Sequence, residues 1–136
     1  MRINILCVDL DDTIIDYEGW QGEGYTVING KPLPGVNNII DQLRNEGWLV
    51  LVHSTRCNFP GGVVATVKFL EEHHIHVDGV CFNKPPASVY LDDKGVTFPG
   101  KWDEALLNQL RGFRTWKEEH EEIRPRDRQM DPGKTD

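Results

Sequence analysis

The chain reads as an α/β protein built on a parallel sheet with helices on both faces. Short apolar runs alternate with helical patterns along most of its length, which is the order of a sheet whose strands are joined by crossover helices. The runs are continuous rather than alternating, as buried strands require. The first of them, Ile3 to Val8, ends directly in Asp9-Leu10-Asp11-Asp12-Thr13. Because a strand has a side-chain period of two, Asp9 and Asp11 leave its carboxyl end pointing the same way.

Element by element, strands are expected near 3–8, 48–53, 77–82 and 88–91, with 95–98 as a candidate fifth. Residues 14–33 are expected to form a small hairpin flap, in which Tyr25-Thr26-Val27-Ile28 and Lys31-Pro32-Leu33 are joined by Asn29-Gly30, the strongest two-residue turn signal. Val36, Ile39, Ile40 and Leu43 recur at helical spacing and stop at Gly47, predicting a helix over Val36–Glu46. Val63, Val64, Val67 and Leu70 repeat the device over Val63–His74, and a third helix is expected to begin near Trp102. From Lys117 the chain is charged, with Pro125 and Pro132 and few apolar residues. Residues 1–116 are therefore expected to form one domain and 117–136 a frayed tail.

Composition narrows the function classes. At 136 residues and 38% hydrophobic content the chain suits a single core and is too short for two ordinary domains. A net charge of −7 argues against a nonspecific nucleic-acid binder, which needs a basic surface, though not against binding one phosphorylated end. No run approaches the length of a membrane helix and the amino end is unlike a signal peptide, so no membrane partner and a cytoplasmic location are expected. Cys7, Cys57 and Cys81 form no C-x-x-C pair and are odd in number, suggesting neither a disulfide framework nor a zinc site. His73, His74 and His76 are dense but lack a defined ligand spacing and fall at a helix end, where a partly positive ring complements the dipole.

Two carboxylates delivered by a buried strand into a loop are a phosphoryl-transfer signature, since ligands of open α/β sheets sit at the carboxyl ends of the strands. Three further signals follow in order: Leu49 to Val52 ending in His53-Ser54-Thr55-Arg56, then Lys84-Pro85, then Ser88 to Leu91 ending in Asp92-Asp93. Together these resemble the four motifs of the haloacid dehalogenase-like (HAD) superfamily of phosphatases and phosphotransferases. The resemblance covers about residues 3–110, and Lys84 to Asp93 followed by Phe98-Pro99-Gly100-Lys101-Trp102 looks like its small, capless members. It implies a Rossmann-like fold. Neither residues 14–33 nor the stretch between Ser54 and Lys84 leaves room for a cap domain.

The chemistry assigns roles. Asp9 is the candidate nucleophile, splitting hydrolysis into two easier steps through an aspartyl-phosphate. Asp11 is the candidate acid and base, protonating the leaving oxygen and then deprotonating water. The resemblance gives the same roles to these positions and makes the main-chain carbonyl of Asp11 a metal ligand. An aspartate and a phosphate repel one another, so a cation is required, and Mg²⁺ suits it as a hard ion with oxygen ligands. By resemblance Asp92 is a distal ligand beside Asp9, with Asp93 binding directly or through water. Lys84 would supply fixed positive charge and Ser54 a hydroxyl for a phosphoryl oxygen, Thr55 being the alternative because His53 shifts the count. Thr55, Arg56 and Asn58 are candidate substrate contacts, Arg56 offering a planar fork to a second anionic group. Tyr17, Trp20 and Tyr25 of the flap either stack on substrate or pack against the domain. Asp12 and Asp16 read as turn or cap residues.

The expected function is a Mg²⁺-dependent phosphomonoester hydrolase whose phosphorylated substrate is a small molecule or a polymer end, in a site that is open or covered by a second copy of the chain. Two alternatives stand beside it. One is a receiver-type signalling module, which carries its phosphorylated Asp on the third strand, where Val77 to Phe82 here ends without a carboxylate. The other is a catalytically silent scaffold that only binds phosphate.

Overall fold

The fold was obtained as a computed structural model, which describes residues 2–20, 22 and 24–121. The chain divides into two compact units, Met1–Asp92 and Asp93–Asp136. The first contains a four-stranded, wholly parallel sheet, so the α/β expectation holds. Its strands are β1 (Ile5–Val8), β4 (Leu49–His53), β5 (Gly79–Cys81) and β6 (Val89–Leu91), arranged β5-β4-β1-β6. Two short strands, β2 (Ile15–Tyr17) and β3 (Gly30–Pro32), form a separate antiparallel pair. Helices α1 (Val36–Asn45) and α2 (Gly62–Glu72) are the crossovers, and a short 3-10 turn, Thr55–Asn58, follows β4.

β1 is central because it is apolar throughout and hydrogen-bonds on both edges, to β4 and to β6. Leu6 and Val8 align with Val50 and Val52 on the same face, and Ile40 of α1 together with Phe69 and Leu70 of α2 complete the core there. Both helices cover this one face: the Asn37 side chain of α1 donates to the carbonyls of His73 and His74 at the end of α2, at 3.1 and 2.8 Å. The expectation of helices on both faces is thus met on one face within this unit. The reason is connectivity, since the steps β1 to β4 and β4 to β5 run the same way across the sheet, and right-handed crossovers then fall on the same side. The strand order reverses beside β1, where β6 is added on the opposite edge.

The flap exists, and its second strand falls beside the expected Lys31-Pro32-Leu33, but its first is Ile15–Tyr17 and not Tyr25–Ile28. Ile15 pairs with Pro32 and Tyr17 with Gly30, so Asn29-Gly30 opens β3 instead of forming the turn. Gly30 has φ +139°, and a Cβ there would run into the Asp16 carbonyl. Its glycine serves close approach between strands rather than a two-residue hairpin.

The second unit holds α3 (Glu104–Arg111) and α4 (Trp116–Glu121). Asp103 caps α3 by accepting from Leu106 N–H at 3.0 Å. Thr115 and Glu118 form a reciprocal capping box at the start of α4, at 3.1 and 3.3 Å. Residues 117–121 of the expected tail are therefore helical, and the remainder lies outside the described residues. Residues 95–98 form no strand. The run is bounded by Gly95 and Pro99, and Phe98 packs on Trp102 instead, with ring centroids 5.6 Å apart. No helix among the described residues is long and apolar enough to cross a membrane.

Candidate active site

The first residue beyond β1 is tied to the last residue of β6: Asp9 N–H donates to the Leu91 carbonyl at 3.0 Å. That bond sets Asp9 beside Asp92, and their carboxylates offer oxygens within 4.8 Å of one another. The pair stands at the carboxyl ends of two parallel strands, at the point where the strand order reverses, which is where open α/β sheets bind ligands. The donor set is hard oxygen, which fits Mg²⁺ rather than a soft metal. Asp93, the next residue and the first of the second unit, is half-buried.

Asp11 lies in the turn between β1 and β2 and is bound by a buried arginine. Arg56 Nε donates to its two carboxylate oxygens at 3.2 and 3.0 Å, and Nη2 donates to Oδ1 at 3.2 Å. Arg56 is only 3% exposed. The fork expected to meet a substrate anion is turned inward onto Asp11. Asp12, at φ +60°, accepts from Tyr17 N–H at 3.0 Å through its side chain, the turn role expected of it. The Thr13 hydroxyl is buried with no hydrogen-bond partner among the described residues.

β4 runs through His53, so Ser54 is the first residue beyond the strand. Its Oγ is buried and accepts from Arg56 N–H at 3.3 Å, capping the 3-10 turn; a hydroxyl that accepts still has its own proton to donate. Thr55 and Asn58 are exposed. Lys84 is exposed and held over the Tyr90 ring, with Nζ 4.3 Å from the centroid. The Tyr90 hydroxyl donates in turn to the Pro85 carbonyl at 2.7 Å, bracing the loop that carries the lysine. Burial, before other causes, pushes the Cys7 thiol up; Cys81, Asp9 and Asp92 add to this while Lys84 opposes it. Cys7 is buried and Cys81 half-buried, the core roles read from the sequence.

Of the flap aromatics, Tyr25 stacks on Phe59 with centroids 3.8 Å apart and planes 1° apart. Tyr17 packs against the core, and Trp20 is 65% exposed. The histidines do not converge: His73 packs on Phe69 and His76 Nδ1 lies 3.4 Å from Asp41. Three interactions escaped the sequence: the Asp11–Arg56 fork, the Tyr90 brace and the Tyr25–Phe59 stack. Only Tyr90 left a signal, a single aromatic between Lys84 and the acidic pair.

No protein-family model and no curated protein matches this chain. Among solved structures, a chain in "Structure of Pnkp1/Rnl/Hen1 complex" aligns with 84% of this chain and 35% of its own length, at 17% identity and a TM-score of 0.47. This chain spans about a third of that neighbour's length, and a likeness so distant assigns it neither a family nor an activity.

Proposed function

We propose that the chain is a Mg²⁺-dependent phosphomonoester hydrolase of the HAD-like, capless type, working through an aspartyl-phosphate. The observation that carries the reading is the approach of Asp9 and Asp92, within 4.8 Å at adjacent parallel strand ends, with Lys84 and Ser54 at the ends of the neighbouring segments. Asp9, Asp92, the Asp11 main-chain carbonyl and Asp93, directly or through water, would hold the ion. A cation held there would neutralise the approaching anions and polarise the phosphoryl group.

In the first half-reaction an Asp9 carboxylate oxygen attacks phosphorus as the bond to the leaving oxygen breaks, and Asp11 gives that oxygen its proton. In the second, water attacks phosphorus, Asp11 takes the proton, and Asp9 leaves as carboxylate. The Arg56 fork holds the Asp11 carboxyl in place. Ser54 and Lys84 bind the non-reacting phosphoryl oxygens. A cleft of about 410 Å³, lined by Asn58, Phe59, Phe82 and Asn83 among others, lies next to both motif loops and has room for the rest of a substrate.

The strand order favours this reading over a receiver module. Receivers follow the flavodoxin-like order 2-1-3-4-5, whereas the second and fourth parallel strands flank β1 here. The test is turnover of p-nitrophenyl phosphate, phosphorylated metabolites and 3′- or 5′-phosphorylated oligonucleotides. Hydrolysis should vanish with chelator and return with Mg²⁺. Undiminished turnover in excess EDTA contradicts the mechanism.

A further inference from the structure

Arg56 is the one buried guanidinium among the described residues, and a buried charge persists only where partners satisfy it. Its partners belong to two different parts of the unit. Nε and Nη2 hold the Asp11 carboxylate, while Nη1 donates to the main-chain carbonyls of Tyr25 at 3.2 Å and Val27 at 2.9 Å. The Tyr17 ring of β2 lies against the same group, 5.2 Å from Cζ. One side chain therefore ties the candidate acid and base to the loop between β2 and β3.

We infer that Arg56 is a positioning residue: it clamps the flap loop and the Asp11 carboxylate together, so that the placement of the loop and the orientation of Asp11 are set by one group. The residue type fits the task. A guanidinium presents donors in a rigid fork and can serve a carboxylate on one edge and carbonyls on the other, which a single ammonium cannot. The surrounding contacts point the same way. β2 and β3 are three residues each, too short to fix a loop of this length by pairing alone. The ring under Tyr25 is Phe59, three residues after Arg56, so the same turn holds the loop twice. Gly62 then fixes that turn from below, since a Cβ there would run into the Arg56 carbonyl. The consequence for Asp11 rests on the proposed phosphatase reading; the clamp itself does not.

Arg56→Lys tests both halves. Hydrogen exchange at Tyr17 and Glu18, whose N–H groups donate to Asp12 Oδ1 and to the Asn29 carbonyl at the base of the loop, read by mass spectrometry on the full chain, should accelerate about tenfold or more, the size expected when charge-assisted bonds are lost. Turnover of an alkyl phosphate, whose leaving oxygen needs a proton, should fall about tenfold further than turnover of p-nitrophenyl phosphate. Unchanged exchange overturns the clamp. Faster exchange with an equal fall for both substrates overturns the positioning of Asp11. Should Arg56→Lys not fold, Asp11→Ala decides the clamp, because it removes the charged arm from a half-exposed position; exchange at Tyr17 and Glu18 must rise there too, and protection equal to the parent chain overturns the inference. A parent chain with no phosphatase activity refutes the proposed function, and the exchange measurement still judges the clamp.

Discussion

Replacing Asp78 by alanine should destabilise the first unit by about 2–3 kcal/mol, a figure assembled from its contacts. Asp78 Oδ2 accepts from Val50 N–H at 2.7 Å, at the second residue of β4. Arg44 of α1 donates to the same carboxylate at 3.0 and 3.3 Å. Loss of the acceptor strands a partly buried donor, which costs about 1–3 kcal/mol, and the half-exposed Arg44 pair adds about 0.5 kcal/mol. In a chain of this size the sum lowers the melting temperature by about 10 °C. The pH dependence supplies an internal check. Burial pushes the Asp78 carboxyl up, but the Val50 N–H and Arg44 outweigh it and hold it below the ordinary aspartate value of 3.8. A depressed folded value means that the contribution is complete above the ordinary value and is lost as pH falls through the folded one. Urea or thermal melts of both proteins should therefore differ most at neutral pH, and the difference should shrink in acid. A neutral-pH difference below about 0.5 kcal/mol, or one that stays constant into acid, refutes the reasoning.

Gly62→Ala should destabilise by about 1–3 kcal/mol, because the added methyl must displace the turn that carries Arg56; a denaturant midpoint equal to that of the parent chain contradicts the packing. Ser54→Ala should lower kcat/KM by about 10²–10³, while Thr55→Ala, at an exposed position, should leave it within a few-fold; the reverse ranking transfers the phosphoryl contact to Thr55.

Much of the sheet was legible because its signal is local. β1 and β4 are continuous apolar runs, and their order along the chain is enough to place Asp9 and Ser54 at carboxyl ends. The helices fell within a few residues of expectation for the same reason, since Ile40 and Leu70 recur at the helical period and reach the core. The flap register was not legible: Asn29-Gly30 is a turn signal on statistics, yet Gly30 is required by the Asp16 carbonyl across from it, a contact that depends on which strands pair. Arg56 is the clearest case. A loop arginine beside a candidate phosphate site reads as a substrate contact, and nothing local reveals that its partner is Asp11, 45 residues away. The single-face arrangement of α1 and α2 depends on strand order, which periodicity does not encode. By contrast, Thr115-x-x-Glu118 is a capping box present in the sequence, and it starts α4 at the edge of the segment expected to fray.

The central claim is that Asp9 forms a covalent bond to phosphorus. Asp11→Asn leaves that nucleophile without its acid and base, so with p-nitrophenyl phosphate, whose leaving group scarcely needs a proton, the variant should release a burst and accumulate an acyl-phosphate. Borohydride reduction followed by peptide mapping should place the label at Asp9, and Asp9→Asn should abolish it together with turnover. A label at Asp12 or Asp92, or near-normal turnover by Asp9→Asn, contradicts the account.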